Sequence, residues 1–494
     1  MKPSLSRRSV ALGLPILLLA SLSGCAADDG EQPPPVDDPG AARVSGILTG
    51  GNGLSLAAAS VRPLPEGWVQ EEYAVEGTAV SYVSEGSLPA DGFYALVEDA
   101  SADYRTRIVV RRPSAADFNG TVAVEWLNVS GGVDANPDFS YLADELFRGG
   151  YAWVGVSAQY IGIEGGPVLV STPLSEQGGA GKGLRALDPA RYGSLSHPGD
   201  AFAYDMYTQV ARRLRVPGTG GVLGDLVPTR ILAVGESQSG FMLTTYANGI
   251  QPLAQQYDGF LIHSRGGGAA PLGQAGAGIE LVNAITGLPT LIRTDLDVPV
   301  LVLESETDLL SVIGYFPARQ PDGERIRTWE GAGTAHADAY LIGGVGDSLG
   351  CTSPINAGPQ HYFTKSALRH LDAWSRGGEP PPAAERLEIV TSAGAPAFSR
   401  DQDGIVLGGM RTPLVDVPLD VLSGAAPAGA SLVCMLFGST TPLPADRIAA
   451  LYASPQAYLD AYAAAADAAV AAGFVLEDDR ATLLADADPS RVGP

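Results

Sequence analysis

Few folds accommodate the stretch Ile231-Leu232-Ala233-Val234-Gly235-Glu236-Ser237-Gln238-Ser239-Gly240-Phe241. An apolar run of strand length, a turn built from small residues and an immediate helical continuation describe a strand whose C-terminal end bends sharply into a helix. At such a bend the two backbones nearly touch, so the positions two before and two after the tip must be small. Gly235 and Ser239 meet that need around Ser237, which places the Ser237 hydroxyl at an exposed, strained tip. Ser239 is the rival for the tip, but that register would put Phe241 where a small residue is required.

The chain around this bend has matching organisation. Short β-like runs such as Ala74 to Val83 and Thr106 to Val110 suit an antiparallel entry to a sheet. From Thr121 onward, apolar runs (Thr121 to Leu127, Ala152 to Ser157, Arg230 to Val234, Gly259 to His263, Val298 to Leu303, Arg325 to Trp329) alternate with longer stretches of helical periodicity. Those helical stretches include Asp138 to Phe147, Asp200 to Leu214 and Gly240 to Asn248. The alternation predicts an α/β fold with a mostly parallel central sheet and crossover helices on both faces. Residues 160–197 and 264–297 break it; such long insertions commonly form lids or substrate-binding walls. After the Pro-rich stretch near 380 a C-terminal extension is expected to pack on the core.

A serine hydroxyl is a weak nucleophile at neutral pH unless a base takes its proton and a carboxylate orients that base. Of the five histidines, His336 has the right address, in the glycine-rich loop Gly331-Ala332-Gly333-Thr334-Ala335 after the last expected strand. His197, His361 and His370 read as packing residues, and His263, at a strand C-terminus, is the one of the four others expected to line a pocket. The carboxylate belongs just after the Val298 to Leu303 strand, where Glu304, Glu306 and Asp308 crowd together. Asp308 is the expected partner of His336, with Glu306 as the alternative, because Glu304 directly follows the buried strand and is least able to swing. Charge developing on a tetrahedral oxygen needs backbone N–H donors. Gln238, just after the nucleophile, is one expected donor; Val129, or alternatively Asn128, in the glycine-bearing loop after the Thr121 strand, is the other. This chemistry calls for no metal and no cofactor.

The N-terminus carries Lys2, Arg7 and Arg8, an apolar run from Val10 to Leu22, and then Leu22-Ser23-Gly24-Cys25. The apolar run is shorter than the roughly 20 residues of a spanning helix, so residues 1–25 read as an export signal ending in a lipobox-like sequence whose Cys25 would be lipidated. Residues 26–43 read as a flexible tether and 44–494 as the folded domain. Export to the cell envelope, held to a membrane only through the Cys25 lipid, follows as an expectation. Cys351 and Cys434 are then a candidate disulfide in an oxidising compartment, with two buried thiols as the alternative. The formal charge of −24 repels phosphate backbones and excludes nucleic acid as a natural partner.

Several segments together resemble a family of exported bacterial proteins known by their α/β-hydrolase domain. They are Glu125-Trp126-Leu127-Asn128, His197-Pro198-Gly199-Asp200, Gly235-Glu236-Ser237-Gln238-Ser239-Gly240, Gly331 through Asp338, and Gly408-Gly409-Met410-Arg411-Thr412-Pro413. The resemblance runs from about Val61 nearly to the C-terminus. It implies the α/β-hydrolase fold and a serine-hydrolase site at Ser237 and His336, and it implies no substrate. The chain order serine, acid, histidine also suits this fold. The expected activity is cleavage of a small-molecule or lipid-like ester through an acyl-enzyme. An acyltransferase or amidase on the same residues, or a non-catalytic surface binding lipoprotein, are the alternatives.

Overall fold

Two long strands, β2 (Val69–Ser84) and β3 (Leu96–Arg112), pair antiparallel and carry the shorter β1 (Arg43–Ile47) on their outer edge. The computed structural model describes residues 38–493, apart from 58–61, 172–174, 177–178, 217–220, 281–284 and 286. The expected signal sequence, Cys25 and most of the expected tether therefore lie outside the described residues. Asp37–Pro494 forms one compact unit. No helix among the described residues is long and apolar enough to cross a membrane.

The sheet continues through β4 (Thr121–Trp126), β5 (Ala152–Val156), β6 (Arg230–Glu236), β7 (Gly259–His263), β8 (Val300–Ser305) and β9 (Ile326–Gly331). Its nine strands lie in the order β1-β2-β3-β5-β4-β6-β7-β8-β9. β5 meets β3 antiparallel, and every pairing from β5 to β9 is parallel. Strands covered on both faces read as unbroken apolar runs, which is why these are legible in the sequence. Their side chains nevertheless alternate between two cores. Val122, Val124, Ile231 and Ala233 join the cluster under the helix Ala203–Arg215, while Ala123, Leu232 and Val234 join the one under Pro137–Gly149 and Gln360–Ser375.

Differences from the sequence reading have local causes. β2 and β3 run several residues beyond the expected Ala74 to Val83 and Thr106 to Val110, because residues 97–103 of β3 are paired to β2 through their backbone while most of their side chains face outward. No apolar pattern announces such a stretch. The helix expected from Asp200 begins at Ala203, since Asp200 sits in a tight 3-10 turn with its carboxylate accepting the Tyr160 and Ile279 amides. The end of the expected tether is docked: Ala42 is buried, its amide bonds the Gln209 carbonyl, and Arg43 opens β1.

The described part of 160–197 includes the short helices Tyr160–Glu164, Gly183–Leu187 and Pro189–Tyr192, and the Leu169 and Val170 amides both donate to the Ser130 carbonyl in the loop that follows β4. Beyond 380 the chain packs back on the core: Ala466, Ala469, Val475 and Leu483 bury Tyr362 of the helix Gln360–Ser375. Cys351 and Cys434 lie at disulfide distance, with Cα atoms 5.6 Å apart. They join the segment after the His336 loop to the short helix Leu432–Phe437.

Candidate active site

Ser237 stands between β6 and the helix Gln238–Thr245 with φ 59° and ψ −119°, a conformation that side-chain-bearing residues adopt only under tight constraint. The close approach that imposes it is visible at Gly235, where an added Cβ would come within 2.9 Å of Leu243 and 3.0 Å of Ser239. The Ser237 amide donates to the His263 carbonyl at 2.9 Å, tying the bend to β7. Ser239 is fully buried, with its Oγ unpartnered, and is not among the described residues lining the cavity beside Ser237.

His336 follows β9 in a loop held from several sides. Ala332 donates its amide to the Met410 carbonyl, Thr334 Oγ donates to the Gly331 carbonyl, and Asn356 Nδ2 donates to the Gly333 carbonyl. The ring is nearly buried and spans two partners: Nε2 lies 2.8 Å from Ser237 Oγ and Nδ1 lies 2.6 Å from Asp308 Oδ1. That geometry sets the tautomer with the proton on Nδ1 and the lone pair on Nε2 facing the serine.

Asp308 lies in the first turn of the short helix Glu306–Leu310. Its other oxygen, Oδ2, accepts both the amide and the hydroxyl of Ser305 at 2.7 Å, so the carboxylate cannot rotate away. Burial pushes the Asp308 carboxyl up, but the His336 imidazole and the Ser305 bonds outweigh it and hold the group below the ordinary carboxylate range. For His336, burial works against the charged form, and Asp308 together with Glu236 reverses this, leaving the imidazole above its ordinary value. Glu306 and Glu304 do not reach the ring. Glu306 accepts the Gly333 and Gly424 amides and pairs with Arg400 at 3.0 Å; Glu304 is buried with both oxygens unpartnered.

The two amides expected as second donor for a tetrahedral oxygen both have partners within the protein. The Val129 amide donates to Gln238 Oε1 at 2.8 Å, and the Asn128 amide donates to the Ala135 carbonyl at 2.9 Å. The loop after β4 closes on itself, and the Gln238 side chain reaches across to it. The main-chain amide of Gln238 opens its helix, where first-turn N–H groups have no intrahelical acceptor. His263 is likewise not a pocket residue: it is buried behind the site with Nδ1 2.9 Å from Asp138 Oδ1. His197 Nε2 lies 2.9 Å from the Ala158 carbonyl, His361 stacks on Tyr340, and His370 Nε2 lies 3.0 Å from the Gly473 carbonyl.

Ser237 and His336 open onto a cavity of about 640 Å³. Leu54, Leu56, Val170, Leu341, Leu436 and Phe437 make much of its wall. Residues 160–197 thus contribute to the wall, whereas none of its described lining residues comes from 264–297. Glu236, which the strand pattern does not single out, also lines this cavity, with Oε1 3.5 Å from His336 Nε2. Its place beside the nucleophile was the available signal, but alternation along β6 does not say where a terminal residue points. A smaller cavity of about 340 Å³, lined by Tyr340, His361, Tyr458 and Tyr462 among others, does not include Ser237. Among the described residues no group of His, Cys, Asp and Glu is arranged to hold a metal ion.

A family model described as "Alpha/beta hydrolase domain" matches residues 37–485. No curated protein matches. Solved structures that resemble the chain include a putative dienelactone hydrolase from Klebsiella pneumoniae, 15% identical, covering 52% of this chain and 85% of that one at a TM-score of 0.26. An esterase from the fungus Rhizomucor miehei is 12% identical, with 64% and 86% covered and a TM-score of 0.31. A glucuronoyl esterase from Solibacter usitatus is 10% identical, with 58% and 81% covered and a TM-score of 0.27. Scores this low say nothing about the substrate of this chain.

Proposed function

We propose, from the premise that this chain belongs to the family of proteins with an alpha/beta hydrolase domain, that it is a serine hydrolase cleaving carboxylic esters through an acyl-enzyme. The observation that carries this reading is the continuous relay from Ser237 Oγ through His336 to Asp308, at 2.8 and 2.6 Å, on the wall of a cavity large enough for a small-molecule ester. In the first half-reaction His336 Nε2 takes the Ser237 proton as Oγ attacks the carbonyl carbon, and Asp308 stabilises the imidazolium. The Gln238 amide donates to the developing oxyanion. The imidazolium then gives its proton to the departing alcohol oxygen, leaving the acyl group on Ser237. Water repeats the sequence, with His336 again as base, and releases the acid.

A fluorophosphonate probe tests the reading. Labelling of the wild type at Ser237, lost in Ser237→Ala together with a fall in ester turnover of about 10⁴ or more, is the expected result. Labelling or turnover that survives Ser237→Ala would overturn it.

We further propose that the protein is exported and held at a membrane through a lipid on Cys25. The Leu22-Ser23-Gly24-Cys25 sequence supports this, and so does the Cys351–Cys434 pair, since disulfides persist in oxidising compartments. Cys25→Ser should move the protein from the detergent to the aqueous phase with its activity intact; a wild type already wholly aqueous would refute the anchor.

A further inference from the structure

Among the described residues that line the cavity Glu236 is the one carboxylate, and no Lys or Arg there faces it. The described lining residues include no Lys and no Arg, and apart from Glu236 the only ionisable group among them is the His336 imidazole. Oε1 lies 3.5 Å from His336 Nε2, and Oε2 lies 3.5 Å from Asn128 Nδ2, at the outer limit of a hydrogen bond. The residue is 4% exposed, so little water reaches it. The same wall carries the apolar Leu56, Val170, Leu341, Ile342, Leu436 and Phe437 beside the uncharged polar Ser55, Asn128, Ser130 and Ser140.

We propose that this site selects esters whose acyl and alcohol parts carry no negative charge, and that Glu236 is the residue that turns away esters bearing a carboxylate. The proposal rests on the serine-hydrolase reading above and adds a substrate class to it. A carboxylate entering this cavity gives up its hydration, finds no guanidinium or ammonium to replace it, and approaches a second carboxylate across a low-dielectric space. Sites that accept carboxylates offer them a cation, commonly a bidentate Arg; the described wall offers none. The formal charge of −24 adds a weaker repulsion at a distance. A neutral ester loses nothing of this kind and buries its apolar groups against the wall.

The carboxyl is itself sensitive to pH. Burial raises it to about 7; His336, from the loop after β9, and His263, at the end of β7, oppose the rise, while Asp138 and Asp308 reinforce it. Asn128, from the loop after β4, faces it without a charge. The repulsion is therefore fully developed only on the alkaline side of neutrality.

Two fluorophosphonates of equal chain length, one ending in a carboxamide and one in a carboxylate, separate charge from size and polarity. At about pH 8.5, where Glu236 is ionised, the carboxamide probe should label Ser237 at least about tenfold faster, and Glu236→Gln should shrink that ratio to about threefold or less. Within the wild type alone, the ratio should widen between about pH 6 and pH 8.5, since titration of His336 affects both probes equally and cancels. Equal rates in the wild type, a ratio unchanged in a folded Glu236→Gln protein, or a ratio flat with pH would each overturn the proposal. If neither probe labels Ser237, it is the serine-hydrolase reading that fails.

Discussion

Asp308 Oδ1 lies 2.6 Å from His336 Nδ1, while Glu306, two positions earlier, turns away to accept the Gly333 amide at 2.7 Å. One carboxylate holds the ring and the other holds the backbone of the loop that carries it. Asp308→Asn should therefore reduce ester turnover by about three to four orders of magnitude, since an amide favours the wrong tautomer, with little change in melting temperature. Glu306→Gln should do the reverse: a lowered melting temperature from the weakened Arg400 pair, with turnover per folded molecule within about tenfold of wild type. Steady-state kinetics beside thermal melts decide between them, and an active Asp308→Asn would end the assignment.

The acid limb of the pH profile should lie above the ordinary histidine value of about 6.5. Catalysis needs neutral His336; burial disfavours its charged form, but Asp308 and Glu236 more than compensate and raise the imidazole. Activity is then lost as pH falls through that raised value. Removing the Glu236 charge takes away one of the groups that stabilise the imidazolium, so Glu236→Gln should move the limb to lower pH. A limb that stays in place or climbs would show that Glu236 does not act on the ring.

Arg107 is fully buried between Glu72 and Asp134, at 3.0 and 2.6 Å, and also donates to the Ser55 carbonyl beside the cavity wall. Replacing it with Met keeps much of its volume but leaves the buried Asp134 without a cation and Glu72 with Arg191 alone, a loss of about 3–5 kcal/mol. Denaturant unfolding measures this directly. A change below about 1 kcal/mol would mean that Arg191, which also pairs with Glu72, suffices.

Cys351 and Cys434 are 83 residues apart in sequence, and Leu349 and Leu436 beside them both line the cavity. Cross-linking so long a loop restricts the unfolded chain, so replacing both cysteines with Ser should cost about 2–4 kcal/mol. Because the two wall segments are then free to part, KM should rise more than kcat falls. Equal unfolding midpoints with and without reductant would contradict the first expectation.

Local sequence determined a great deal here. The bend at Ser237 is written in Gly235 and Ser239 because the close approach there is a contact between neighbours in the chain, and the parallel strands are written as apolar runs because both their faces are covered. The position of His336 after β9 follows from counting those strands. What the tertiary structure decided are the choices among chemically similar groups. Glu304, Glu306 and Asp308 share a neighbourhood in sequence, yet only Asp308 meets the imidazole, because the Ser305 bonds aim it there. The Val129 amide donates to the Gln238 side chain, 109 residues on, a pairing that no local spacing announces. The strand pattern does not single out Glu236, because nothing in an alternating strand tells which way its last carboxylate turns. Such outcomes depend on side-chain direction and on partners far along the chain, neither of which periodicity or spacing encodes.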